Sequence, residues 1–455
     1  MAKPPSVLAP ALFLLALLGP STPAPAAQNF ADIKPSPQQL QWQNLEMGAI
    51  IHFGTNTFLD REWGDGTASP GVFQPSDVDT DQWMQAAKAA GIRYVVLVAK
   101  HHDGFALWPT KQTDYSVKSS PWLQGKGDLV RMAADSARKY GLGFGVYLSP
   151  WDRHDPRYAN PQEYDKFYLA ELDELATGYG QLEEFWLDGA GSGNRKYDFD
   201  SILDDLRVYQ PNTMVFADTA LYKYADLRWA GTESGKVDYE NWNVIDRAGY
   251  LRWRPVEADT PLHRDQWFWH PNSDATLKSV DELMDTYDQT VGRGAQLMLG
   301  LAPDRTGRIP AADVARLAEF GARIRAVYGD NLALRQTGGM DSGEQRAVDG
   351  DPDTYWAAPT DGGIPTLTVT FARPTGFDRV STLERLDDGQ HVEEYSIEYF
   401  ADGEWRQVAH AQAIGHRKID IFPAVTARRV RLRILRANGP VGIREFQVFN
   451  GTAVR

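Results

Sequence analysis

The chain has no cysteine among its 455 residues. A small disulfide-stapled scaffold is therefore excluded, and stability has to come from a large core. Long hydrophobic runs are also missing. The apolar stretch Val7–Leu18 is too short to span a bilayer comfortably, and no later segment approaches the required length. Positive charge is in deficit. With 47 Lys and Arg against 61 Asp and Glu the net charge is −14, which disfavours nucleic acid and anionic membrane as partners. There is no internal repeat, no low-complexity linker, and no Gly-rich dinucleotide fingerprint after the first strand.

The first residues carry one charge, Lys3, then the apolar stretch, then Ala24-Pro25-Ala26 before Ala27-Gln28. That layout predicts a secretory signal peptide over 1–26 and a mature protein that is periplasmic or secreted. Tryptophan is abundant, with 14 in the chain. Flat aromatic faces stack well on the C–H faces of sugars, although many of these rings are expected in the core.

From about residue 38 to 330 apolar strands alternate with amphipathic helices. Strands are predicted at 48–52, 94–99, 143–149, 183–188, 214–218 and 295–301. Helices are predicted at 81–90, 129–140, 161–179, 199–209, 280–291 and 311–327. This alternation implies a parallel sheet, and the length suits a (β/α)8 TIM-like barrel over 30–330. The stretch 227–272 is irregular and Trp-rich, so the sixth and seventh strands are not resolved by pattern. A doubly wound open sheet is the alternative. After Tyr328-Gly329-Asp330 short alternating runs begin, at 366–371, 377–383, 393–400, 417–422, 428–434 and 443–448. Turn signals such as Asp402-Gly403 and Asn438-Gly439-Pro440 separate them, which predicts a C-terminal β-sandwich over 334–455.

In a barrel the functional groups sit at the C-terminal strand ends. The run Glu183-Glu184-Phe185-Trp186-Leu187-Asp188-Gly189 reads as a buried strand delivering a carboxylate to such an end. An Asp walled by tryptophan is how a sugar-cleaving enzyme presents a nucleophile; the plain alternative is an Asp that caps a turn. The other ends supply His52, the adjacent His101 and His102, Tyr147, and the run Arg228-Trp229-Ala230-Gly231-Thr232-Glu233. On an extended backbone adjacent histidines point in opposite directions, a poor metal chelate. Neutral imidazoles offering a donor and an acceptor to sugar hydroxyls fit better.

Taken in order, His52-Phe53-Gly54, Glu62-Trp63, His101-His102-Asp103-Gly104-Phe105, Trp186-Leu187-Asp188 and Leu299-Gly300-Leu301-Ala302-Pro303-Asp304 resemble the α-L-fucosidases of glycoside hydrolase family 29. The resemblance covers roughly 38 to 330. Asp60-Arg61-Glu62-Trp63-Gly64-Asp65-Gly66 and Ser149-Pro150-Trp151-Asp152-Arg153 are most similar to the branch acting on α-1,3/1,4-linked fucose.

The resemblance implies a retaining exo-α-L-fucosidase with Asp188 as nucleophile and Glu233 as acid/base, Glu240 being the rival for that second role. It implies fucose binding by His52, Glu62, Trp63, His101, His102, Tyr147 and Trp186. Arg228 would orient Glu233, or simply form a surface salt bridge. No metal and no cofactor are implied, and the partner is a fucosylated oligosaccharide or glycoconjugate. An α-1,2-fucosidase acting on xyloglucan-type oligosaccharides, a glycan-binding protein without catalysis, and a metal-dependent hydrolase on the same barrel are the rival readings. The C-terminal part resembles discoidin-like modules of the coagulation-factor type through Ala347-Val348-Asp349-Gly350-Asp351-Pro352-Asp353-Thr354-Tyr355-Trp356. Such modules often bind sugars, and some hold calcium in an acidic loop. Support of the barrel is the expected role here.

Overall fold

The computed structural model describes residues 29–191, 195–217, 225–247, 250–334, 336, 343–360 and 362–454. The expected signal peptide lies outside these residues, as does Asp218 at the end of the fifth predicted strand. Eight parallel strands form the first domain: β1 Met47–Ile51, β2 Tyr94–Lys100, β3 Gly143–Leu148, β4 Glu184–Leu187, β5 Met214–Ala217, β6 Arg228–Trp229, β7 Val256–Pro261 and β8 Gln296–Leu301. Their order is β5-β4-β3-β2-β1-β8-β7-β6, a nearly closed barrel. At the β5–β6 seam, Asp226 donates its amide to the Val215 carbonyl at 2.9 Å. The same Asp226 takes the Val215 amide on its carboxylate, also at 2.9 Å.

Both faces of each strand are covered, and alternation sorts the side chains. In β2, Tyr94, Val96 and Val98 enter the barrel interior, while Val95, Leu97 and Ala99 pack against the helices outside. Helix Leu129–Tyr140 shows why the outer layer forms where it does. Asp128 caps it by accepting the Arg131 amide at 2.9 Å, and Gly141 ends it in the left-handed region at φ +71°.

Strand β7 breaks the apolar rule. Glu257 and Asp259 point inward on alternate positions and both are buried. Glu257 accepts from Tyr94 Oη at 3.2 Å and from Trp186 Nε1 at 2.8 Å, and shares a hydrogen bond with Glu184. Burial raises the pKa of both glutamates.

The second domain is an antiparallel β-sandwich of β9 Trp356–Ala357, β10 Thr366–Glu384, β11 Val392–Ala401, β12 Glu404–Ala411, β13 Lys418–Ala437 and β14 Gly442–Phe449, in the order β9-β14-β10-β13-β11-β12. The pattern-based expectation divided β10 and β13 into two strands each. They run continuously instead. Register shifts between Thr370 and Thr375 and between Phe377 and Arg379 bend the pair while keeping it hydrogen-bonded.

The domains meet over a polar seam. Glu46 takes Arg417 Nε at 2.7 Å and His416 Nε2 at 3.2 Å. Tyr239 donates its hydroxyl to Asp420 at 2.6 Å, and Asn243 donates its amide to Gln390 at 3.0 Å. Among the described residues no helix is long and apolar enough to cross a membrane.

Candidate active site

A cavity of about 130 Å³ opens at the C-terminal ends of the barrel strands. Asp188 enters it immediately after β4. One carboxylate oxygen accepts the Ala190 amide at 2.8 Å, and the other accepts the Tyr147 hydroxyl at 2.8 Å. His102 Nε2 stands 3.5 Å from that second oxygen. Gly191 matters to this turn: its φ is +71°, and a Cβ there would sit 2.1 Å from the Trp151 ring. The glycine lets Trp151 close over the loop.

Three imidazoles share the cavity with Asp188. The expectation that His101 and His102 diverge is corrected here. Strand β2 ends at Lys100 and the chain turns, so both rings line the cavity with centroids 4.2 Å apart. His102 Nδ1 pairs with Ser149 Oγ at 2.7 Å. Among the described residues the buried Nδ1 atoms of His52 and His101 meet no hydrogen-bond partner. Burial, with the charge of His102 adding to it, holds His52 down to about 3 and His101 well below the ordinary imidazole range. Both are neutral at working pH, each offering one donor and one acceptor.

Aromatic faces make the walls. Trp186 stacks on Phe216 with centroids 3.7 Å apart and planes 2° from parallel, and its other neighbour is the Tyr147 ring. Trp63 is 52 % exposed at the rim, edge-on to both His102 and Trp151. An aromatic box lined with neutral imidazoles suits a hydroxylated ring with an apolar edge.

Glu233 reaches the same cavity from the loop after β6, and Trp267 Nε1 donates to it at 3.1 Å. Glu240 does not. Its carboxylate faces the β-sandwich and accepts the amides of Gln412 at 3.0 Å and Ala413 at 2.9 Å.

Two expected site residues lie behind the wall rather than in it. Glu62 accepts the backbone amides of Trp267 at 2.9 Å and Phe268 at 3.3 Å and pairs with His270 Nε2 at 2.5 Å, so it props the loop that carries Trp267. Arg228 is turned away from the cavity. It donates to Asn241 at 2.6 Å and to the carbonyls of Trp242 and Arg254, holding the loops beyond β6. The reason is strand alternation: with Arg228 outward, Trp229 faces the cavity and donates its indole to Asp259 at 2.6 Å. Trp229, Trp267 and Asp259 were not foreseen as site residues. Trp229 was one position from Arg228 in the quoted run; the other two carried no local signal.

The alpha-L-fucosidase family model matches residues 39–329, well over half of the chain. The chain belongs to glycoside hydrolase family 29, the alpha-L-fucosidases. The F5/8 type C domain matches residues 333–446. Alpha-L-fucosidase 1 of Arabidopsis thaliana is 35 % identical over 426 residues, covering 87 % of this chain and 83 % of the relative. A solved glycoside hydrolase 29 family member from a rumen bacterium superposes with a TM-score of 0.82 at 34 % identity, over 92 % of this chain and 78 % of that one. A Ruminococcus gnavus family 29 fucosidase in complex with fucose gives 0.83 at 28 % identity, over 94 % and 96 %. The enzyme is thus an alpha-L-fucosidase acting on fucosylated substrates.

Proposed function

We propose that this fucosidase is an exported, retaining exo-enzyme that removes terminal α-1,3/1,4-linked fucose from branched glycans. One observation carries the mechanism: Asp188 and Glu233 line one cavity, and each is held by an aromatic donor. Asp188 attacks the anomeric carbon as Glu233 protonates the departing oxygen, which leaves a covalent fucosyl-enzyme. Glu233 then takes a proton from water, which attacks the same carbon and frees Asp188. Tyr147, by donating to Asp188, fixes the attacking carboxylate. Neutral His52 and His101 meet ring hydroxyls, and the Trp186–Phe216 stack supplies apolar surface for the C5 methyl. The placement of Glu240 against the sandwich supports Glu233 as the acid/base. Linkage preference rests on the resemblance of 60–66 and 149–153 and on Trp63 and Trp151 at the rim.

Proton NMR of sugar released from a mixture of branched Lewis-type and linear 2-linked fucosyl oligosaccharides tests the proposal. Early α-fucose from the branched substrate is expected. Early β-fucose would overturn retention, consumption of the 2-linked substrate alone would move the linkage to the xyloglucan-type alternative, and binding without release would favour the glycan-binding reading. Export is tested separately, by finding the chain outside the cytoplasm with a mature N-terminus near Ala27.

For the second domain we infer support of the barrel, through Glu46 with Arg417 and His416, Tyr239 with Asp420, and Asn243 with Gln390.

A further inference from the structure

Three carboxyl groups line the fucosidase cavity, and the mechanism above uses two of them. The third, Asp259, comes from β7, whose place in the barrel is three positions from β4 across the β5–β6 seam. Only 5 % of it is exposed, yet it forms part of the cavity wall. One oxygen accepts the Trp229 indole at 2.6 Å. Among the described residues no Lys, Arg or His forms an ion pair with it. One step deeper on the same strand Glu257 has its own partners, Tyr94, Trp186 and Glu184.

We propose that Asp259 is a third functional carboxyl of the pocket, a hydrogen-bond donor to the bound sugar. The inference rests on the glycosidase reading of the cavity. A buried carboxylate without a cation is costly, and neutralising it is the way such a group is tolerated. The charged and titratable groups that face Asp259 all push the same way or are neutral. Glu257 lies beneath it, Glu233 reaches in from the loop after β6, and Asp188 stands across the mouth. His52, His101 and His102 complete the ring. The Lys278 ammonium donates to Thr260 Oγ1 and the Pro261 carbonyl, and among the described residues it forms no ion pair with Asp259. Burial accordingly pushes Asp259 up to about 8, against the pull of the Trp229 indole and with Glu257 and Glu233 adding to the rise.

The protonated carboxyl has one O–H to give. Trp229 engages an oxygen as acceptor, so the proton is free for the cavity. Such a donor is what this pocket needs, because ionised Asp188 can only accept. A sugar hydroxyl that donates to a neighbouring acceptor still has an oxygen to satisfy, and Asp259 satisfies it. Once the carboxyl ionises it loses that donor and presents a negative charge to the sugar instead.

The test is calorimetric binding of L-fucose to the Asp188→Ala protein, alone and with Asp259→Asn or Asp259→Ala added. Asparagine keeps an N–H donor and the acceptor for Trp229, so Asp259→Asn is expected to bind within about threefold of its parent at pH 7. Asp259→Ala is expected to bind at least about tenfold more weakly, the loss of one buried hydrogen bond. Between pH 7 and pH 9 the parent should weaken about tenfold as the donor form is depleted, while Asp259→Asn stays flat. Alanine binding like the parent, or an equal alkaline loss in the asparagine variant, overturns the proposal. If thermal melting shows that the alanine variant does not fold, the pH comparison between parent and Asp259→Asn decides alone. No fucose binding by the Asp188→Ala parent itself would sink the glycosidase reading instead.

Discussion

The hydroxyl of Tyr147 lies 2.8 Å from Asp188 Oδ2, and the ring that carries it packs along Trp186 at a 20° tilt. Strand β3 thus holds the carboxylate delivered by β4. Tyr147→Phe keeps the packing and removes one hydrogen bond to a charged group, about 1.5–3 kcal/mol. The expected loss in kcat/KM is roughly ten- to a hundredfold, with an unchanged melting temperature. Asp188→Ala is expected to abolish turnover with the fold intact. Near-wild-type rates in the alanine variant would falsify the assignment of Asp188.

Glu233 and Glu240 are separated by their surroundings, and so should be their variants. Glu233→Ala is expected to lose activity on natural glycosides far more than on an aryl fucoside with a good leaving group, and azide should restore turnover on the latter. Glu240→Gln should leave both rates near wild type and weaken the domain seam by roughly 1–3 kcal/mol, read as an earlier urea midpoint. The reverse pattern would exchange their roles.

The buried histidines set a pH dependence of stability. In the unfolded chain His52 titrates near 6.5, whereas in the folded protein it is held down to about 3. Between those values the unfolded state binds more protons, so stability rises with pH. The contribution is full above about 6.5 and is lost as pH falls toward 3. His101, also held well below its ordinary range, acts in the same direction. Urea midpoints measured from pH 7 to pH 4 should fall, and His52→Asn should flatten the slope. An equally steep slope in that variant would rule out His52 as a contributor.

Parts of this molecule were plain in the sequence for local reasons. Helices Leu129–Tyr140 and Phe199–Tyr209 have the bounds that their patterns gave, because an Asp caps each start. The barrel strands from Tyr94 and Gly143 read as apolar runs because both faces are covered. Strand β7 did not, since Glu257 and Asp259 put carboxyls where the pattern calls for apolar residues, and β6 has only two residues to show. The long β10 and β13 looked like four strands because their bends carry turn-like residues. At the site, the groups delivered straight from strand ends, Asp188 and the three histidines, were legible. What tertiary contacts decide was not: whether Glu62 touches the cavity or its supporting loop, whether Arg228 or Trp229 faces inward, and which way Glu240 turns.

Trp267 receives its backbone placement from Glu62, gives its indole to Glu233, and packs so tightly over Gly300 that a Cβ there would come within 2.7 Å of its ring. Three stretches of chain far apart in sequence therefore behave as a single machined part. Anyone grafting the rim of this enzyme onto a relative to change which glycans it accepts has to transplant residues 60–66, the Glu233 loop and the Trp267 loop as one set, with glycine kept at 300. Exchanging any one of them alone would leave the Glu233 carboxyl out of register with the cavity.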